Sequence, residues 1–167
     1  MAKHKDQRVA VFIDVQNMYH SAKNLFDARV NFKEVLKIAV ATRRLVQAYA
    51  YVIKSQTPEE QGFFDALKTQ GFEIRVKDLQ VFAGGAKKGD WDVGMAIDAI
   101  KQADKVDVIV LVTGDGDFVP LVRYLQENKG CQVEVMAFRE SSSARLIEEA
   151  ADFTNLSEKK FLMRLRN

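Results

Sequence analysis

Four aspartates stand where the chain changes from apolar runs to turns or helix starts, and these residues could do chemistry. Val106-Asp107-Val108-Ile109-Val110-Leu111-Val112 is a dense β-branched run that breaks at Thr113-Gly114-Asp115-Gly116-Asp117. Val9-Ala10-Val11-Phe12-Ile13 ends in Asp14, and Asp92 opens an apolar-periodic segment after a glycine- and lysine-rich stretch. Two carboxylates one residue apart repel each other unless positive charge sits between them. A hard cation with oxygen ligands answers that need, and magnesium takes a few carboxylates while keeping several waters. Such a cation polarises a phosphoryl oxygen and generates hydroxide near neutral pH. Asn17, three residues after Asp14, offers a neutral oxygen.

Each acid also has a plainer role. Asp115 and Asp117 suit a turn and the cap of the next helix. Asp92 suits a helix N-terminus on dipole grounds. Asp14 is harder to dismiss, because a carboxylate closing a buried apolar run needs a partner. Asp90 competes with Asp92, and Asp98 reads as a satisfied structural acid on the same helix.

The elements that must bring these residues together alternate. Strands are expected at 9–14, 45–53, 72–76, 106–112 and 132–138, with a short edge strand at 153–156. Helices are expected from Val15 to about Phe26, from an Asn31 cap to Ala41, and from Thr57 toward Gly71. Further helices run from Asp92 to Ala103, after Asp117 to Gly130, and after Ser141-Ser142-Ser143. Thr57-Pro58-Glu59-Glu60 has the spacing of a capping box with proline at the first helical position. The Asp92 helix shows Val93, Ala96, Ile97 and Ile100 as its core-facing stripe. Strand–helix alternation gives a parallel sheet covered on both faces, so the fold expected is a three-layer α/β/α domain of five or six strands. Ligands bind such sheets at the carboxyl ends of strands, where Asp14, Asp115 and Asp117 fall.

At 167 residues one domain is expected. It would occupy 9–156, after a polar arm at 1–8 and before a basic, helical tail at 157–167. A net charge of +2 permits a local nucleic-acid patch without arguing for one. Cys131 is the lone cysteine, which rules out an internal disulfide, fits a reducing cytoplasm, and reads as buried packing. The first residues lack the apolar segment of a signal peptide, and no run is long enough to span a membrane.

Three stretches in order resemble the NYN domain family: Phe12-Ile13-Asp14-Val15-Gln16-Asn17, Lys88-Gly89-Asp90-Trp91-Asp92-Val93-Gly94-Met95-Ala96-Ile97-Asp98, and Val112-Thr113-Gly114-Asp115-Gly116-Asp117-Phe118-Val119-Pro120-Leu121. The nearest branch is that of LabA-like proteins, related to the PIN-like nucleases. The resemblance implies a Rossmann-like sheet and a Mg2+- or Mn2+-dependent ribonuclease site. By motif position its acids fall on Asp14, Asp92, Asp115 and Asp117, and its asparagine on Asn17. Ser142 and Ser143 resemble the family's C-terminal pattern, and the resemblance implies that they contact substrate. One departure is the pair Asp90-Trp91 between Lys88-Gly89 and Asp92, where the family often has a single residue.

RNA, single-stranded or structured, is the expected partner. Lys87, Lys88 and Trp91 are the expected cationic and stacking contacts, and assembly as a homodimer stays open. The contrary reading makes the two lysines solvated surface and Trp91 packing. The leading function is hydrolysis of RNA phosphodiester bonds. The alternative is a non-cleaving RNA- or protein-binding regulator on the same scaffold. A haloacid-dehalogenase-type phosphatase fits poorly, because Gln16 stands where that chemistry needs a second aspartate. No Gly-x-Gly-x-x-Gly follows the first strand, which excludes a dinucleotide fold of that kind.

Overall fold

The run Val108–Val112 is buried along its whole length and becomes a central strand, as apolarity on both faces requires. The computed structural model describes residues 3–85 and 87–164, with the side chains of Lys87 and Lys88 also outside the description. The first half contains β1 (Arg8–Asp14), α1 (Val15–Phe26), β2 (Ala28–Val30), α2 (Phe32–Val40), β3 (Arg44–Lys54), α3 (Glu60–Thr69) and β4 (Glu73–Asp78). A small hairpin follows, β5 (Gln80–Val81) and β6 (Lys87–Lys88), leading to α4 (Asp92–Ala103) and β7 (Val108–Val112). The 3-10 turn Gly116–Phe118 leads to α5 (Val119–Glu127), then β8 (Gln132–Ala137), α6 (Ala144–Glu149), β9 (Asp152–Asn155) and β10 (Leu162–Arg164).

Six strands form one sheet in the order β4-β3-β1-β7-β8-β9, and every pairing is parallel. With helices on its faces this is the expected three-layer α/β/α domain. From β1 the chain builds outward through β3 and β4, then returns to lay β7 on the other side of β1 and builds outward again. The order therefore reverses between β1 and β7, the position where open parallel sheets form their ligand crevice. Ile13 lies opposite Val112, so Asp14 and Thr113 leave the sheet side by side.

Four local expectations are corrected. From Ser157 to Arg164 the tail forms no α-helix: a 3-10 turn at Lys159–Phe161, with Phe161 buried, leads into β10, which pairs antiparallel with β2. The end of that tail, 165–167, lies outside the described residues. The Thr57 capping box does not form. Helix α3 starts at Glu60, whose carboxylate accepts the Ser55 and Gln56 amides at 2.7 and 3.2 Å. The core-facing residues of α4 are Met95, Ala99 and Ala103, while Val93, Ile97 and Ile100 are exposed. The glycine- and lysine-rich stretch before Asp92, expected as a loop, contains a strand: β6 pairs antiparallel with β5, Lys88 opposite Gln80.

Among the described residues the core tolerates one internal ion pair, Arg43 with Glu134, made bidentate at 2.8 and 2.9 Å and joined by Gln132. Satisfying both ends in this way is what makes such burial tolerable. A strained position follows α2, where Ala41 has φ 55° and ψ −124°. That region suits glycine and costs a residue with a Cβ of the order of 1 kcal/mol or more. Ala41→Gly is therefore expected to stabilise the chain by about 1 kcal/mol net of glycine's greater unfolded-state entropy. The urea midpoint reads the gain.

Candidate metal centre

The site is assembled from three chain segments. Asp14 ends β1 and caps α1, its Oδ1 accepting the Asn17 amide at 3.2 Å. Its Oδ2 accepts the Thr113 hydroxyl at 3.2 Å. Asn17 Oδ1 accepts the Gly114 amide at 3.0 Å, so the start of α1 is tied to the loop after β7. Asn17 thus spends its carbonyl oxygen on the backbone and acts as a clamp. Burial raises the Asp14 carboxyl above its ordinary value, and the charges of Asp115 and Asp90 push the same way, against the Asn17 and Thr113 bonds.

The loop after β7 turns on two glycines for lack of space. A Cβ on Gly114 would lie 2.5 Å from Ser142 Oγ and 3.1 Å from Ser142 Cα. One on Gly116 would lie 2.9 Å from Ser143 Oγ. Ser143 donates its amide to Gly114 O at 2.9 Å, and Ser142 Oγ donates to Phe138 O at 2.6 Å. Both serines therefore brace the acidic loop. Asp115 Oδ1 accepts the Asp117 amide at 2.9 Å, and the Asp115 amide donates to Thr113 Oγ1 at 3.2 Å. Asp115 is thus a cap and a site acid at once: capping uses one oxygen and leaves the other. Thr113, buried and bonded to both Asp14 and the Asp115 amide, escaped the sequence reading. Its one signal was a hydroxyl at the end of an otherwise apolar strand.

Asp92 is placed by its neighbour. The Trp91 indole donates to Val52 O at 2.9 Å, its ring packs against Tyr51 at 5.4 Å, and the Lys77 ammonium sits 4.7 Å from the ring centre. These contacts make Trp91 an anchor of the helix start, in line with the packing alternative. Gly94 lies under the same ring, where a Cβ would come 2.6 Å from Trp91 Cε3. Gly94→Ala is expected to push the indole off its acceptor and cost about 1–3 kcal/mol, read as a lower melting temperature with altered tryptophan emission. Asp90 turns Oδ1 to the Asp92 amide at 3.3 Å. Asp98 accepts the Tyr51 hydroxyl at 2.8 Å and pairs with Arg75 at 3.5 Å, which makes it a structural acid.

The result is an acidic cluster. Asp92, Asp115 and Asp117 each present an oxygen, and these oxygens all lie within 4.8 Å of one another. Asp14 and Asp90 stand outside that group and add charge to it. Burial and then the charges of Asp115, Asp90 and Asp14 push the Asp92 carboxyl up to about 7. Crowded carboxylates that lift a neighbour this far mark a place where a cation relieves repulsion. An all-oxygen donor set fits a hard divalent ion. The Lys87 and Lys88 side chains, expected at the substrate, lie outside the described residues.

A parallel sheet with an aspartate cluster at its reversal point defines a PIN-like α/β domain. The family model of the NYN domain matches residues 8–157, and the chain belongs to the NYN domain family. It is similar to the low amplitude and bright protein LabA of Synechococcus elongatus, 29% identical over 137 residues that cover 73% of this chain and 69% of LabA. It also resembles the crystal structure of a protein of unknown function from Vibrio parahaemolyticus. That match has a TM-score of 0.89 at 33% identity, covering 98% of this chain and all of the other. Family membership points to an RNA-related function. Among the described residues no helix is long and apolar enough to cross a membrane.

Proposed function

We propose that this chain is a metal-dependent ribonuclease that hydrolyses RNA phosphodiester bonds at the aspartate cluster, acting in the cytoplasm. The observation that carries this reading is the meeting of Asp92, Asp115 and Asp117 at the strand-order reversal, with Asp14 adding charge beside them. Asp92, Asp115 and Asp117 would hold Mg2+ or Mn2+, which when bound supplies a charge for the phosphoryl oxygen and lowers the pKa of water. The chain's own residues do the positioning. Thr113 and Asn17 fix Asp14 and the loop carrying Asp115, and Trp91 fixes the helix start carrying Asp92. Preorganisation of this kind is what a hydrolytic site needs, because charges already in place cost nothing to reorganise at the moment of reaction.

The test is Mn2+-supported cleavage of single-stranded RNA by the purified chain, with Asp14→Asn and Asp115→Asn prepared in parallel. Cleavage by the parent and its loss in both variants supports the reading. Equal cleavage by all three proteins assigns the activity to a contaminant. Binding without cleavage in any divalent ion assigns the scaffold to a non-cleaving regulator.

A further inference from the structure

An open groove of about 400 Å³ runs between α4 and α5. Its walls are Val93, Ala96, Ile97 and Ile100 on one side and Pro120 and Tyr124 on the other. The α4 residues are those whose helical stripe read as core, yet Val93 is 72% exposed and Ile97 49%, and Tyr124 across the groove is 40% exposed. The groove is continuous with the acidic cluster, since Asp92 and Asp117 line both. Among the described residues no lysine or arginine lines it, so these walls offer nothing to a phosphate. Its apolar walls suit the face of a heterocyclic ring, and the Tyr124 ring offers a surface on which any base can stack.

We infer that this groove receives a nucleobase of the RNA strand whose phosphate lies at the aspartates, an inference that rests on reading the cluster as a phosphodiester site. The occupant follows from continuity. A strand whose phosphate meets a cation held at Asp92 and Asp117 would carry its next sugar and base toward Val93 and Ile97. A second copy of the chain fits less well. Where two-fold packing sets the acidic ends of two such grooves together, each copy's Asp92 and Asp117 would meet the other's, and like charges across an interface are costly. The recognition is apolar, so the groove accepts any base and places the cut by spacing.

The test is anisotropy of a short fluorescein-labelled single-stranded RNA in Ca2+, which takes the same kind of oxygen ligands. One abasic nucleotide is moved along the strand. At one position the missing base is expected to weaken binding to the parent chain by about fivefold or more. Tyr124→Ala and Ile97→Asp should weaken the intact strand comparably and lose the abasic penalty. Both positions are exposed, and thermal melts matching the parent establish folding; Val93→Ser is a third, milder probe. Equal affinity for intact and abasic strands at every position overturns the inference, as does a penalty that survives in the variants. Conversion of a dimer to a monomer by Ile97→Asp with RNA affinity unchanged also overturns it and assigns the groove to a second copy. Cleavage in Mn2+ without a base penalty sinks the groove and leaves the nuclease reading standing. A base penalty without cleavage does the reverse.

Discussion

An Asp115→Asn chain is expected to keep its fold and lose Mn2+ affinity by more than about a hundredfold, with RNA cleavage falling at least as far. The fold survives because asparagine retains the Oδ1 that accepts the Asp117 amide, and the backbone bonds to Thr113 and Ser143 do not involve the side chain. What disappears is a negative oxygen within 4.8 Å of those of Asp92 and Asp117. Groups that merely orient a metal ligand cost about 10- to 100-fold when removed, so loss of a charged ligand exceeds that range. Isothermal titration with Mn2+ measures the first effect and gel-resolved cleavage the second. Affinity equal to the parent's would place the metal elsewhere and remove the cluster from the mechanism. Asn17→Ala is a useful contrast. It leaves every carboxylate in place and orphans the Gly114 amide, so its defect should be a loosened loop with weaker, measurable metal binding.

The strands and the acids that close them were legible for one reason. Fully buried parallel strands must be apolar on both faces, so a terminal carboxylate such as Asp14 stands out against its run. The helix caps were less reliable. Asn31 caps α2 as its position implies, accepting the Glu34 amide at 3.2 Å. Thr57 had equal local credentials, but Glu60 bonds back to Ser55 and Gln56 and starts the helix three residues later. The face of α4 was misread because two apolar stripes share that helix. The stripe of Met95 and small alanines lies against the sheet, and the bulkier one remains outside. Hydrophobicity alone does not rank them. The tail strand was invisible for a different reason: Leu162–Arg164 has no strand signal of its own and is defined by pairing with Ala28–Val30, far away in sequence. Within the site, Asp92 was visible by type and position, but nothing local announced that Trp91 would be tied to Val52 and hold it there.

Asp92 should make metal binding and stability respond to pH in opposite directions. Its folded pKa of about 7 lies above the ordinary aspartate value of 3.8. Between those values the folded chain binds more protons than the unfolded one, so the metal-free protein loses stability as pH rises through that window. Burial raises Asp14 too, which adds to the loss with the same sign. Asp92→Asn should therefore raise the melting temperature of the metal-free chain above about pH 7 and leave it unchanged below about pH 3, where the acid is protonated in both states. A cation reverses the preference, because it needs the ionised carboxylate and must displace the proton. Mn2+ affinity should be flat above about pH 7 and fall roughly tenfold per unit below it. Titrations in buffers of different ionisation enthalpy should then show about one proton released per metal in the acid limb and almost none in the alkaline one. The charge on Asp115 helps to hold the Asp92 proton, so an Asp115→Asn chain supplies the control. Its residual affinity should be weaker throughout, with the break moved to lower pH. A break that stays at neutrality in that variant would mean that the displaced proton belongs to a group other than Asp92.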